Sequence, residues 1–114
     1  MVEYKDNHLN QTYAAIADPT RRAILMRLAQ GEARVTDIAA PFAMSLNAVS
    51  KHVRVLERAG LVRRHIKGRD HYLVLDAEPL RAASAWIDTY RQFWEERLDA
   101  LESFLQQQSQ EPKS

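Results

Sequence analysis

Asn47, Ser50, Lys51 and Arg54 follow one another at intervals of three, one and three residues, and the apolar residues Leu46, Val49, Val53 and Leu56 are interleaved at the same helical period. Such spacing places the polar group on one face of a helix and the apolar group on another. The chemistry open to the polar face is hydrogen bonding and charge rather than bond making. Amide and hydroxyl groups can pair with base edges, cations can meet phosphates, and the small Ala48 lets the backbone approach a groove closely. Ser45 stands where an N-cap belongs, with a hydroxyl able to accept from an orphan N–H of the first turn. A plain solvated helix carries comparable residues, so the neighbouring segments have to decide.

The charge distribution adds a second indication. The net charge of +1 conceals a polarised chain. Residues 45–72 carry seven Lys and Arg against two acids, a net +5, whereas residues 78–111 carry three Arg against seven acids, a net −4. A basic middle within a near-neutral total is a localised footprint for a polyanion. Enzyme chemistry is not expected. No Gly-rich phosphate loop, Ser/His/Asp or Cys/His set, or matched carboxylate pair occurs, and Asp37, Glu57 and Asp70 read as structural or solvated. Without cysteine there is no disulfide or thiolate metal site. No apolar run approaches the ~20 residues that cross a bilayer, and the start lacks a secretory signal, so a cytoplasmic location is expected.

The elements that must position these residues can be read in order. Residues 9–17 predict a short helix with Leu9, Tyr13 and Ile16 on one face. Asp18-Pro19 is a start signal for a second helix ending at Gly31, with Ala23, Ile24, Leu25, Met26 and Leu28 as its apolar face. A short extended link at residues 33–35 precedes a third helix, capped by Thr36 and reaching about Ala43, which Pro41 should kink or shorten. With the basic helix after Ser45 this forms a helix-turn-helix. Gly60 supplies the left-handed C-cap. Residues 61–66 and 71–75 then predict a hairpin, or wing, over residues 61–75, with Gly68-Arg69 as its two-residue loop. In that register His65 faces Tyr72 and Ile66 faces His71, so the two wing histidines point to opposite sides. Arg63, Arg64, Lys67 and Arg69 line the wing. Residues 79–107 contain no helix breaker after Pro79, and Trp86, Tyr90, Phe93, Trp94, Leu98, Leu101, Phe104 and Leu105 recur along them. Little of the chain remains to cover that stripe, and a second copy is the expected cover.

Asp18-Pro19-Thr20-Arg21-Arg22-Ala23-Ile24-Leu25 and the run from Ser50-Lys51-His52-Val53 to Gly60-Leu61-Val62, in this order of elements, resemble the ArsR/SmtB family of winged helix-turn-helix repressors. The resemblance covers residues 9–105. It implies a mainly α fold with a small β-hairpin wing and a long C-terminal dimerisation helix. It also implies a homodimer joined through the first and last helices, at Leu9 and Tyr13 and along the aromatic stripe, that binds an inverted-repeat operator and represses transcription. By motif position residues 45–54 are the recognition helix, with Asn47, Ala48, Ser50, Lys51 and Arg54 facing the groove, while His52 is expected to pack or bond within the domain. Many family members sense metals through cysteines in the first helix of the motif. The corresponding residues are Val35, Thr36, Asp37 and Ile38, and residues 79–107 hold no histidine, so the metal-free branch is implied and neither metal nor other cofactor is expected.

The expectation is therefore a single winged helix-turn-helix domain over residues 1–114, with a DNA-binding core at 9–77, a dimerisation helix at 79–107 and a frayed tail at 108–114. Its expected partners are double-stranded DNA and a second copy, with no membrane and no assigned inducer. The competing expectation is a winged-helix interaction module without sequence-specific DNA binding. The +5 middle segment argues against it, and a helix that enters a groove suits B-form DNA better than A-form RNA.

Overall fold

The capping signals act where the sequence puts them. In the computed structural model, which describes residues 2–110 and the side chains of 7–109, helix α1 spans Val2–Ile16 and α2 spans Pro19–Leu28. The Asp18 carboxylate accepts from the Arg21 N–H at 3.0 Å, and Pro19 opens α2. Strand β1 (Ala33–Arg34) leads directly into α3 (Val35–Ala39). Helix α4 (Leu46–Arg58) is capped by Ser45, whose hydroxyl accepts from the Ala48 N–H at 3.1 Å. Strands β2 (Val62–Lys67) and β3 (Asp70–Leu75) follow, then α5 (Glu78–Gln110). Gly60 (φ 75°) and Gly68 (φ 62°) take the left-handed backbone that the C-cap and the hairpin loop require.

Several boundaries differ from the sequence reading, each for a local reason. Helix α1 begins at Val2 rather than near Leu9. Helix α3 stops at Ala39, just before Pro41, and its N-cap is Arg34 without a side-chain bond; Thr36 lies inside the helix. Residues 33–34 are not a bare link but a third strand, giving an antiparallel sheet of order β1-β3-β2 in which Ala33 faces Leu73 and Arg34 faces Tyr72. Helix α5 continues to Gln110, three residues beyond its expected end, while residues 111–114 lie outside the described residues.

The core is built from one stripe of each helix and one face of the sheet. Ile24 and Leu28 of α2, Ile38 of α3, Val49, Val53 and Leu56 of α4, and Leu61, Val62 and Leu73 are all buried together. Three residues expected in this core are not. Ala23 and Met26 face solvent, since α2 buries only the narrow strip through Ile24, Leu25 and Leu28. Leu46 is 50 % exposed, because the first turn of α4 projects past the core. Burying the three α4 side chains contributes roughly 1.5–3 kcal/mol each, which anchors the helix by its inner face and leaves the outer one free.

Packing divides the chain into a first unit that ends at Ala83 and a second that begins at Ser84. In the first, Tyr13 donates to the Ala83 carbonyl at 3.0 Å. The second is the remainder of α5. It exposes Trp86, Ile87, Tyr90, Phe93, Trp94, Leu98, Leu101, Phe104 and Leu105, each about half accessible. At 3.6 residues per turn these nine occupy a stripe roughly 140° wide. Within it Trp86 stacks on Tyr90 at 5.1 Å, and Tyr90 and Phe93 meet Trp94 edge-on at 5.9 and 6.0 Å.

Candidate nucleic-acid interface

Helix α4 is held from behind and presents the residues that its spacing assigns to the outside. Asn47, Lys51 and Arg54 are exposed, and Ala48 and Ser50 are half-buried at the edge of the same face. Lys51 and Arg54 form no ion pair among the described residues, and neither does Arg69 at the tip of the wing. Among the described residues, Lys51 and Arg54 on α4 and Arg69 in the wing loop therefore project without internal partners.

The wing register agrees residue by residue with the sequence reading. His65 lies opposite Tyr72, Ile66 opposite His71, and Lys67 opposite Asp70, which leaves Gly68-Arg69 as the loop. Because side chains alternate along a strand, the wing has two differently charged faces. Arg64, Ile66 and His71 share the face that carries buried Val62 and Leu73. Arg63, His65, Lys67 and Tyr72 share the other.

On the inner face Arg64 departs from the expectation of a free cation. Its Nη2 and Nε donate to Glu57 of α4 at 2.8 and 3.3 Å, and its Nη1 meets His71 Nδ1 at 3.0 Å. Both ion-paired side chains are nearly three-quarters buried. This guanidinium ties the wing to α4. On the outer face Glu32, just ahead of β1, sits 3.2 Å from His65 Nε2 and 3.4 Å from Lys67 Nζ. Desolvation pushes the Glu32 carboxyl up, but the hydrogen bonds from His65 and Lys67 outweigh it and hold the group below its ordinary range. The Lys67 ammonium also lies 4.9 Å from the centre of the Tyr72 ring. Arg63 is loosely paired with Asp76 at 4.0 Å and stays largely exposed.

Two further arginines, which the sequence reading did not single out as structural, set the frame. Arg34 bonds Asp37 at 3.0 Å and approaches Asp70 at 4.0 Å, joining α3 to the wing. The hydrogen bond to Asp37 is the main reason its guanidinium is held even more firmly protonated. Arg21 donates through Nε to the Ala15 carbonyl at 2.7 Å, through Nη2 to Ala14 at 3.0 Å, and through Nη1 to His52 Nδ1 at 3.2 Å. His52 thus bonds within the domain, as expected, with Asp18 a further 3.9 Å contact. Asp18 titrates below its ordinary value, chiefly because of the Arg21 backbone bond. The Arg34-x-x-Asp37 spacing is open to detection in sequence, whereas Arg34 with Asp70 and Arg21 with His52 join segments more than thirty residues apart.

Among the described residues no three His, Cys, Asp or Glu side chains gather closely enough to hold a metal ion, and no helix is long and apolar enough to cross a membrane.

Comparison with known proteins places this geometry in a family. A family described as "Helix-turn-helix domain" matches residues 16–65, the span from the end of α1 into β2. The transcriptional repressor SdpR of Bacillus subtilis is 35% identical over 79 residues, covering 69% of this chain and 88% of that protein. Among solved structures, the ArsR family transcriptional regulator RHA00566 superposes with a TM-score of 0.75 at 41% identity, over 79% of this chain and 93% of the other. The homodimeric winged helix-turn-helix DNA-binding domain of Mb0332 from Mycobacterium bovis superposes with a TM-score of 0.65 at 25% identity, over 82% and 88%. With the capped basic helix, the three-stranded wing and these relatives together, the chain belongs to the ArsR/SmtB family of winged helix-turn-helix, DNA-binding transcriptional regulators.

Proposed function

We propose that the protein is a homodimeric repressor that acts in the cytoplasm on an inverted-repeat operator, its own promoter being the first candidate, and that it needs no metal or other cofactor. The observation that carries this reading is that Lys51, Arg54 and Arg69, flanking the short polar side chains of α4, have no ion-pair partner among the described residues. In this reading Asn47, Ser50 and Lys51 approach base edges in the major groove, Ser45 and Ala48 allow close approach of the helix end, and Arg54 meets the backbone. Arg63, Lys67 and Arg69 hold phosphates or enter the minor groove. Arg64, bound to Glu57, contributes by fixing the wing rather than as a free contact. Leu9 and Tyr13 of α1 and the α5 stripe, Trp86, Tyr90, Phe93, Trp94, Leu98, Leu101 and Leu105 together with Ile87 and Phe104, pair with a second copy. The two recognition helices then sit about 34 Å apart, one turn of B-DNA.

The test is a salt titration of binding to the chain's own upstream DNA and to a scrambled duplex of equal length. A preference of about a thousandfold or more marks a specific regulator of that promoter. Asn47→Ala and Ser50→Ala should relax the preference, by on the order of 1–3 kcal/mol per lost base contact. Arg54→Ala should weaken both duplexes alike and reduce the salt slope by about 0.9. Absence of binding to any duplex, at low salt, would refute the reading.

A further inference from the structure

Between α3, the first turns of α4 and the inner face of the wing lies an open cleft of about 230 Å³, whose walls include Thr36, Leu46, Ser50, Arg64, Arg69 and His71. From the sequence Thr36 has only a capping role and His71 only a place in the hairpin register, neither of them at the DNA. The state of His71 can be deduced from its neighbour. A guanidinium has donors only, so the 3.0 Å approach of Arg64 Nη1 makes Nδ1 of His71 the acceptor. The ring then carries its proton on Nε2. Glu57, through its two bonds to Arg64, holds the guanidinium that imposes this tautomer. The cleft is thus supplied with the Nε2–H of His71, two hydroxyls from Thr36 and Ser50, and the unpaired guanidinium of Arg69. Asp70 also borders it, 4.0 Å from the Arg34 guanidinium that Asp37 engages at 3.0 Å. Several neutral donors beside one free cation suit an oxyanion with a single negative charge and more than one accepting oxygen, which describes a phosphodiester.

We propose that this cleft seats one phosphodiester of the DNA backbone where the strand passes from α4 to the wing, with His71 as an uncharged donor whose tautomer is fixed by the Glu57–Arg64 pair. The inference rests on the DNA-binding reading above and deepens it by adding His71 and Thr36 to the interface. It makes a distinction that a mere basic patch does not. A neutral donor adds affinity without releasing a counterion, whereas a cation adds affinity with salt dependence.

The experiment measures binding of the full-length wild type, His71→Ala, His71→Gln and Arg69→Ala to the upstream duplex and to its scrambled form, from 50 to 200 mM KCl. His71→Ala should lose about tenfold on both duplexes, the scale of a hydrogen bond to a charged group, with its salt slope unchanged. His71→Gln, whose amide N–H can stand in for Nε2–H, should recover much of that loss. Arg69→Ala should lower the slope by about 0.9. His71 is exposed, so thermal unfolding of both His71 variants should match the wild type. A second arm replaces chloride with inorganic phosphate at equal ionic strength while the His71 ring resonances are followed by NMR. Shifts produced by the duplex support a backbone phosphodiester. Shifts produced by inorganic phosphate alone, with DNA affinity insensitive to His71→Ala, would assign the cleft to a free anion and overturn the proposal. Wild-type binding that His71→Ala leaves intact, or weakens together with the salt slope, overturns this inference and spares the DNA-binding reading. Failure of the wild type to bind any duplex overturns both.

Discussion

Replacing Glu32 by glutamine should make the protein a tighter and more salt-sensitive DNA binder. Glu32 holds Lys67 at 3.4 Å and His65 at 3.2 Å, so at neutral pH one wing cation is already neutralised before DNA arrives. The carboxylate is 36 % exposed and the amide is nearly isosteric, so the substitution removes charge without opening the core. Lys67 keeps its position over Tyr72, at 4.9 Å from the ring centre, and is freed to meet a phosphate. Each phosphate neutralised on B-DNA contributes about 0.9 to the slope of log affinity against log salt. Over the fourfold range from 50 to 200 mM that slope amounts to roughly a 3.5-fold change in affinity. The variant should therefore bind a scrambled duplex more tightly than wild type at 50 mM KCl, with the advantage shrinking by up to about 3.5-fold at 200 mM. Fluorescence anisotropy with a labelled duplex at four salt concentrations measures both quantities. The double-mutant cycle with Lys67→Ala isolates the cause, because the gain should largely vanish when the lysine is absent. A slope equal to that of wild type, or a gain that persists undiminished in the Lys67→Ala background, would refute the idea that Glu32 masks Lys67.

Leu56→Ala, at a fully buried position on the inner face of α4, should destabilise the protein by about 2–5 kcal/mol, measured by urea unfolding; a loss under about 1 kcal/mol would mean that the α4 anchor is misjudged. Trp94→Glu, in the middle of the α5 stripe, should shift the protein toward monomer in sedimentation velocity and leave the wild-type far-ultraviolet helix signal largely in place; an unchanged sedimentation coefficient would exclude this stripe as the contact between copies. Asp18→Ala should lower thermal stability at neutral pH. Since folding depresses the Asp18 titration from 3.8, its stabilising effect is complete above that value and lost as pH falls through the depressed one. The gap between variant and wild type should accordingly narrow only in strong acid, and a gap that instead closes between pH 7 and 5 contradicts the capping role.

Much of the fold was legible because it is governed by local rules. Ser45 and Asp18 are caps that act on N–H groups three residues away, Gly60 and Gly68 take backbone conformations that side chains resist, and the period of two along residues 62–75 leaves one register in which Leu73 is buried. Strand β1 escaped notice because two residues carry no period; only its pairing with β3 makes Ala33 and Arg34 a strand. Periodicity places Leu46 and Met26 toward the core, but it fixes a face and not how far the neighbouring elements extend to cover it. In the candidate site the exposed face of α4 was readable from spacing alone. The roles of Arg64, Glu32, His71 and Arg21 were not, because a charge reads as free until the fold brings a partner from another element, seven residues away for Arg64 with Glu57 and 35 for Lys67 with Glu32.

The Arg21 side chain has a consequence for how the molecule opens. Its three nitrogens are distributed over the last carbonyls of α1 and a ring on α4, while its backbone N–H closes the cap of α2. A fluctuation that releases any one of these partners frees the guanidinium that the others share. The end of α1, the start of α2 and the middle of α4 should therefore exchange their amide hydrogens as one cooperative unit. Arg21→Lys, which keeps the charge but lacks the fork, should split that unit into segments that open independently.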